Sequence, residues 1–156
     1  MEIRASGISD EDAQGMVMRI LLDTNVFVAA RNRDEPFHSQ PMKLIELVDT
    51  GRIKCVVPTL VIAELCAGYH QEDDEKGLHE LLTALLTTPN YEITPMDDKT
   101  ACEAGKLRSR LSLRLPNAII VATALDTGAN TIVTYDEQLK KAENYVAVKT
   151  PDEING

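Results

Sequence analysis

The feature that most constrains the fold is a short apolar run, which starts at Met18 and ends in Ile20–Leu22, with Asp23, Thr24 and Asn25 directly after it. A short run of apolar residues is typical of a strand buried on both faces of a parallel sheet. In open α/β sheets, ligands bind at the carboxyl ends of the strands. We expect Asp23 at such an end, where the carboxylate needs a proton, a cation or hydrogen-bond donors.

The composition predicts a single soluble domain. The 156 residues are 44% apolar and 26% charged, which is ordinary for a globular protein with a real core. No apolar stretch of about 18 residues is present, so no membrane span is expected. The N-terminus lacks the apolar segment of a signal peptide, which predicts a cytoplasmic protein. We expect a flexible extension over 1–17, one domain over 18–150 and a tail over 151–156.

The cysteines indicate a reduced protein. Cys55, Cys66 and Cys102 are odd in number and widely spaced within apolar segments. This pattern predicts buried thiols and neither a disulfide framework nor a zinc site.

Strand and helix patterns alternate along the chain. Strands are predicted at 18–22, 53–57, 91–93, 131–134 and, as an edge strand, 145–148. Helices are predicted around 44–48, 59–69, 78–86, 97–111, 115–128 and 136–142. Residues 26–39 have the composition of a loop. This alternation predicts a three-layer α/β/α sandwich with a mainly parallel central sheet of four to five strands.

Glu64 interrupts the apolar face of a predicted helix. It shares that face with Val61 and Leu65, because positions i, i+3 and i+4 lie on one side of a helix. A carboxylate that faces the core costs on the order of several kcal/mol unless something compensates its charge. Glu64 is therefore either a functional carboxylate or one partner of a salt bridge at the edge of the stripe.

Two further polar positions lie in comparable settings. Asn117 lies in the first turn of a predicted helix, on the same face as Ile120 and Val121. Asp136 follows the fourth predicted strand directly, just as Asp23 follows the first. For Asn117 and Asp136 the alternative role is that of a helix cap.

These four positions are expected to meet at one edge of the sheet. Right-handed crossovers place strand ends and the following helix starts on the same side of a parallel sheet. Carboxylates gathered there would repel one another, and one would stay protonated, unless a divalent cation bound between them. Oxygen ligands without Cys or His suit Mg²⁺ or Mn²⁺. The matching reaction is metal-assisted hydrolysis of a phosphodiester.

The charge pattern is compatible with an enzyme that acts on nucleic acid. A net charge of −9 argues against a protein that simply coats nucleic acid. A local basic strip is present, because Lys106, Arg108, Arg110 and Arg114 fall within nine residues. A solvated helix face explains this strip equally well. The candidate RNA-binding residues are Arg31, Arg33, Lys106, Arg108, Arg110 and Arg114.

Nucleotide-binding and phosphotransfer functions fit less well. Haloacid-type phosphatases need Asp-x-Asp after the first strand, where this chain has Asp23-Thr24-Asn25. No glycine-rich phosphate loop or dinucleotide fingerprint is present.

Four segments resemble the motifs of PIN domains, especially of VapC-type toxins from prokaryotic toxin–antitoxin pairs. They are residues 19–25 (RILLDTN), 61–65 (VIAEL), 115–124 (LPNAIIVATA) and 132–136 (IVTYD). The resemblance covers about residues 18–150. It implies a PIN fold and a Mg²⁺-dependent endoribonuclease, with acidic site residues at Asp23, Glu64 and Asp136 and a supporting hydroxyl at Thr134. It also implies homodimerisation and an antitoxin that covers the site.

Asn117 departs from the family pattern, which usually has an Asp at this position. An amide oxygen can coordinate a metal but brings no negative charge. We therefore hypothesise that metal binding and activity are weaker than is usual in the family, by about ten- to a hundredfold. The alternative function is a catalytically impaired PIN module that binds RNA or a protein partner without efficient cleavage.

Overall fold

The structure, a computed structural model, describes residues 17–32 and 39–154. Residues 1–16 of the expected N-terminal extension lie outside this description, as do residues 155 and 156 of the expected tail. Within the described residues, no helix is long and apolar enough to cross a membrane.

The core is built on five parallel strands in the order β3-β2-β1-β4-β5. They are β1 (Met18–Leu22), β2 (Ile53–Pro58), β3 (Tyr91–Thr94), β4 (Thr131–Val133) and β5 (Ala147–Lys149). Strand β1 lies at the centre, and Ile20, Leu21 and Leu22 are fully buried. The predicted α/β fold class with a parallel central sheet is confirmed.

Helices connect the strands. They are α1 (Thr24–Arg31), α2 (Ser39–Asp49), α3 (Thr59–Gln71), α4 (Glu75–Thr87), α5 (Asp98–Leu111) and α6 (Leu115–Thr127). Two 3-10 helices follow at Glu137–Ala142 and Pro151–Glu153. Pro151 is buried, and Ile154 packs against the core.

Helix α1 corrects the predicted loop over 26–39. Tertiary packing stabilises this helix, because Val26, Phe27 and Ala30 pack into the core. Its first turn is capped by the carboxylate of Asp23, which accepts a hydrogen bond from the Thr24 backbone N–H at 2.8 Å. The sequence predicted a loop here because polar residues follow this short apolar segment. Residues 33–38 of the predicted loop lie outside the described chain.

The cysteine prediction is correct for only one of the three thiols as far as burial is concerned. All three are free, but Cys55 alone is buried, whereas Cys66 is half-buried and Cys102 is exposed. Burial raises the pKa of the Cys55 thiol, so this side chain behaves as a small core residue.

The carboxyl ends of β1 and β4 lie side by side. Leu22 pairs with Val133 at the last position of the ladder. The Asp23 backbone N–H then donates to the Val133 carbonyl oxygen at 3.0 Å. Asp23 and Thr134, the first residues after the two strands, are thereby neighbours although 111 positions separate them in sequence.

We expect Phe27→Ala to lower the free energy of unfolding by about 3–5 kcal/mol. The Phe27 side chain is 4% exposed, and its ring centroid lies 6.5 Å from that of Tyr91. Truncation would therefore leave a cavity between α1 and the sheet. Urea denaturation followed by circular dichroism measures the change.

Val28→Ala is the matched control, because Val28 lies in the same helix but is 44% exposed. It should change the free energy of unfolding by less than about 0.5 kcal/mol. Equal effects of the two substitutions would show that α1 does not pack as described.

Candidate metal centre

A cavity of about 550 Å³ lies at the carboxyl ends of β1 and β4. Asp23, Glu64, Asn117 and Asp136 all line it. They come from the ends of two strands and from helices α3 and α6. The structure thus brings together the four positions that the sequence singled out.

Asp23 is the most buried carboxylate of this pocket, with 7% exposure. Its Oδ1 accepts from the Thr24 backbone N–H at 2.8 Å, and its Oδ2 accepts from Thr134 Oγ1 at 2.8 Å. Burial raises the pKa of Asp23, and the nearby charges of Glu64 and Asp136 raise it further, whereas these two hydrogen bonds oppose the shift. The ionised form is therefore short of compensating positive charge.

The Thr134 hydroxyl joins the two strand ends. It is buried, donates to Asp23, and accepts from the Asp136 backbone N–H at 2.9 Å. Asn25 Nδ2 lies 3.3 Å from the same hydroxyl, and Asn25 Oδ1 accepts from the Tyr135 backbone N–H at 3.1 Å. Asn25 was not among the predicted site residues, although its position directly after the first strand was a signal.

Glu64 occupies the pocket from α3. Its Oε1 accepts from Thr24 Oγ1 at 2.6 Å, so Thr24 is a second residue that the site prediction missed. The expectation that Glu64 faces the core is wrong: Val61 and Leu65 are buried, but Glu64 is exposed at the edge of their stripe. The edge of this stripe borders the pocket, so the Glu64 side chain contacts solvent there and does not pack against core residues. The alternative salt bridge for Glu64 is not found among the described residues.

Asn117 and Asp136 contact each other across the pocket. Asn117 Nδ2 donates to Asp136 Oδ2 at 3.1 Å. The alternative role of Asn117 as a helix cap is wrong, because Arg114 occupies the N-cap position of α6. Asp136 does act as a cap, because its Oδ1 accepts from the Gln138 backbone N–H at 2.9 Å at the start of the 3-10 helix. The Asn117 amide thus donates a hydrogen bond to the Asp136 carboxylate and adds no charge to the pocket.

The donor set fits a hard divalent cation in its chemistry. The lining side chains that can ligate a metal offer carboxylate, amide and hydroxyl oxygens, and burial raises the pKa of Asp23 among them. Within the described ranges, however, no three His, Cys, Asp or Glu side chains stand close enough to form a metal-ligand group. Glu64 and Asp136 are instead engaged with Thr24 and Asn117. An ion shared by the three carboxylates would require these side chains to come closer together.

The candidate RNA-binding arginines separate into different places. Arg114 lines the pocket. Arg31 instead lies 4.0 Å over the Tyr69 ring, and its guanidinium is ion-paired with Glu72 at 2.8 Å and with Asp74 at 2.6 Å. Arg31 therefore ties α1 to the connection between α3 and α4.

Three of the remaining basic candidates, Lys106, Arg108 and Arg110, are not part of the pocket lining. Arg108 Nη1 donates to the Leu113 carbonyl oxygen at 2.9 Å, just beyond the end of α5. Lys106 and Arg110 are exposed on α5. Arg33 lies outside the described residues.

Comparison with known proteins supplies a family match and a set of shared folds. Residues 20–145 match the family model of the PIN domain. Solved structures with this fold include VapBC2 from Rickettsia felis bound to a DNA fragment from their promoter, with 22% identity, a TM-score of 0.67, and coverage of 85% of this chain and 98% of that one. No curated protein sequence matches the chain significantly.

Two further solved structures have the same fold. FitAcB from Neisseria gonorrhoeae is 22% identical, with a TM-score of 0.67 over 86% of this chain and 99% of that one. VapC20 from Mycobacterium tuberculosis, a sarcin–ricin loop cleaving toxin, is 13% identical, with a TM-score of 0.66 over 79% of this chain and 94% of that one. Identities this low show a shared fold.

Thr134→Val should lower the free energy of unfolding by about 1–3 kcal/mol. Valine has the shape of threonine but neither donates to Asp23 nor accepts from the Asp136 backbone N–H, so partly buried polar groups lose their partners. Chemical denaturation of the purified variant measures the loss.

Thr134→Ser retains the hydroxyl and is the matched control, with a smaller expected loss. If the valine variant is as stable as the unaltered protein, the hydroxyl does not join the strand ends as described.

Proposed function

Because the chain belongs to the PIN domain family, we propose that it is a Mg²⁺- or Mn²⁺-dependent endoribonuclease that hydrolyses RNA phosphodiester bonds. The observation that carries this proposal is the convergence of Asp23, Glu64, Asn117 and Asp136 on one pocket. Oxygen donors gathered beside a buried carboxylate of raised pKa are the arrangement that a hard cation stabilises.

Each side chain has a distinct role in this proposal. Asp23, Glu64 and Asp136 hold the ion through carboxylate oxygens, and Asn117 contributes its amide oxygen. When bound, such an ion lowers the pKa of a bound water and neutralises charge on a phosphoryl oxygen. Thr134 orients Asp23 by donating a hydrogen bond at 2.8 Å, and Thr24 orients Glu64 in the same way at 2.6 Å.

We also propose a toxin role with an antitoxin partner and a homodimeric assembly. The toxin role and the antitoxin partner are supported by the fold shared with a toxin–antitoxin complex from Klebsiella pneumoniae, at 22% identity and a TM-score of 0.65 over 86% of this chain and 99% of that one. The VapBC structure from Rickettsia felis supports the same proposal. The homodimer rests on the family resemblance alone.

The hydrogen bond between Asn117 and Asp136 favours a second candidate function, a PIN module that binds RNA or a protein partner but cleaves poorly. In this candidate, the Asn117 amide holds the Asp136 carboxylate by its hydrogen bond. The metal site also has one negative charge fewer than it would have with an Asp at position 117. Metal affinity and cleavage therefore decide between the two functions.

We expect the protein to cleave single-stranded RNA in the presence of Mg²⁺. The addition of EDTA should abolish this cleavage. Asp23→Ala should lower the rate by at least about a hundredfold, because even partners that only orient metal ligands contribute ten- to a hundredfold. Gel analysis of a labelled RNA measures the rate.

Asp126→Ala is the charge-matched control, since Asp126 is exposed at the end of α6 and does not line the pocket. It should cleave like the unaltered protein. EDTA-resistant cleavage, or an Asp23→Ala variant with full activity, would reject the metal-dependent nuclease.

We expect Asn117→Asp to bind Mn²⁺ about ten- to a hundredfold more tightly than the unaltered protein, because a carboxylate adds the missing charge. In EDTA the same variant should unfold at a lower temperature, since two carboxylates then face each other in place of the 3.1 Å hydrogen bond. Calorimetric titration and thermal unfolding measure the two effects.

Asn144→Asp adds the same charge at an exposed position that does not line the pocket, and should change neither property. Unchanged Mn²⁺ affinity in Asn117→Asp would reject the hypothesis that the amide weakens the site.

A further inference from the structure

A second cavity, of about 530 Å³, lies beside helix α2, and none of the candidate metal ligands lines it. The turn after α2 shapes one part of this cavity. Gly51 adopts a φ of +82°, which glycine tolerates, and the Arg52 backbone N–H donates to the Leu47 carbonyl oxygen at 2.9 Å. This turn brings Arg52 back beside the end of α2, so Leu47 and Arg52 line the same cavity.

The chain after β5 supplies apolar lining. Pro151 and Ile154 line the cavity together with Leu44 of α2. Their turn is fixed by Thr150, whose backbone N–H donates to the Glu153 carboxylate at 2.9 Å. Pro151 and Leu44 are buried, whereas Ile154 is half-buried. An apolar side chain that entered the cavity would therefore remove the exposed part of this surface from water.

The charged part of the lining is positive on balance. Lys43 and Arg52 are exposed there, and Glu46 is the acidic residue of the lining. Within residues 17–32 and 39–154, none of the ion pairs found includes any of these three side chains. The chain as a whole carries a net charge of −9, so two cations in one cavity stand out against their surroundings. They favour an acidic ligand.

An acidic segment of this chain is attached close to the cavity. Met18 pairs with Ile53 in the parallel ladder between β1 and β2, so the chain that precedes Met18 leaves the sheet next to Arg52. Residues 1–16 lie outside the described residues, and residues 10–12 among them have the sequence DED. The six positions from residue 12 to Met18 span at most about 20 Å. The acidic side chains can therefore reach the cavity.

We propose that residues 8–12 of this chain dock in the cavity beside α2. Their three consecutive carboxylates bind Lys43 and Arg52, and the Ile8 side chain covers Ile154. Charge complementarity and the place where the chain joins β1 support this occupant. The proposal does not depend on the nuclease function, and it gives a binding place to a segment for which the sequence predicted a flexible extension.

Tethering makes a weak contact sufficient for this docking. An exposed ion pair contributes little by itself. The acidic residues are joined to β1 through residues 13–17, so their docking is intramolecular. A short flexible linker gives an effective concentration on the order of millimolar. A free acidic peptide or a second copy of the chain would have to compete with this tethered segment.

The test treats the full chain, at low concentration, with a carbodiimide, which joins a lysine to a carboxylate that contacts it. Mass spectrometry should find Lys43 linked to residues 10–12 within a single chain. The yield should not change on dilution, because the reaction is intramolecular. Lys76 is the matched control, since it is exposed on α4 and does not line the cavity, and it should not be linked to this segment.

Arg52→Glu should lower the yield of this link about two- to fivefold, the effect of removing an exposed ion pair. Arg110→Glu makes the same change of charge on α5, outside the cavity lining, and should leave the yield unchanged. A higher salt concentration should lower the yield in the unaltered protein, because salt screens exposed charges. Circular dichroism confirms that both variants are folded.

A second measurement removes the charges of the segment. The triple variant Asp10→Asn, Glu11→Gln and Asp12→Asn should have its Lys43 amine acetylated about two- to fivefold faster than the unaltered protein, because the segment no longer covers it. The acetylation rate of Lys76 should not change. An unchanged rate at Lys43 would contradict the docking.

Three crosslinking results would overturn the proposal: no link between Lys43 and residues 10–12, a yield that falls on dilution, or a yield that Arg52→Glu leaves unchanged. A yield that falls on dilution would assign the cavity to a second copy of the chain. A yield that is insensitive to Arg52→Glu would show chance contacts of a tethered segment without a specific binding place.

Discussion

A carboxylate buried at the end of the central strand is the constraint on which the site depends. Asp23 is 7% exposed, and burial is the main cause of its raised pKa. Such a group is tolerated only where donors surround it. Here the donors are the Thr24 backbone N–H, the Asn25 side-chain amide and the Thr134 hydroxyl, and the last of these comes from the neighbouring strand end. The pairing of β1 with β4 is thus a condition for burying the carboxylate.

Each carboxylate of the pocket accepts a hydrogen bond from a neutral side-chain donor. Thr134 faces Asp23, Thr24 faces Glu64, and Asn117 faces Asp136. In the third pair, the donor is an amide, which adds no charge to the pocket. Three pairs of this kind gather acidic side chains without direct contact between carboxylates, and this reduces the destabilisation that functional sites commonly cause.

The basic residues show how the same chemistry serves different purposes in different places. Arg31 ties α1 to the start of α4, because two carboxylates and an aromatic ring surround its guanidinium. Arg108 satisfies a backbone carbonyl oxygen just after α5. Arg114 borders the pocket without an ion pair among the described residues. Only the last of these arrangements leaves a cation available at the proposed site.

The sequence by itself determined the strands, the longer helices and the positions at strand ends. Apolar runs and helical periods are local patterns, and a parallel sheet carries every strand end to one edge. The strand positions, the parallel sheet and the place of Asp23 after β1 therefore followed from residues near one another in the chain.

Tertiary structure alone decided the features that depend on distant partners. Helix α1 is stabilised by burying Phe27 against the sheet, and the polar residues that follow it in the sequence resemble a loop. Glu64 is exposed because its part of the helical stripe borders the pocket. The partners of Asn117 and Arg31 lie 19 or more positions away, and no local pattern specifies them. Side-chain pairing of this kind is set by the packing of whole elements, which a single sequence does not display.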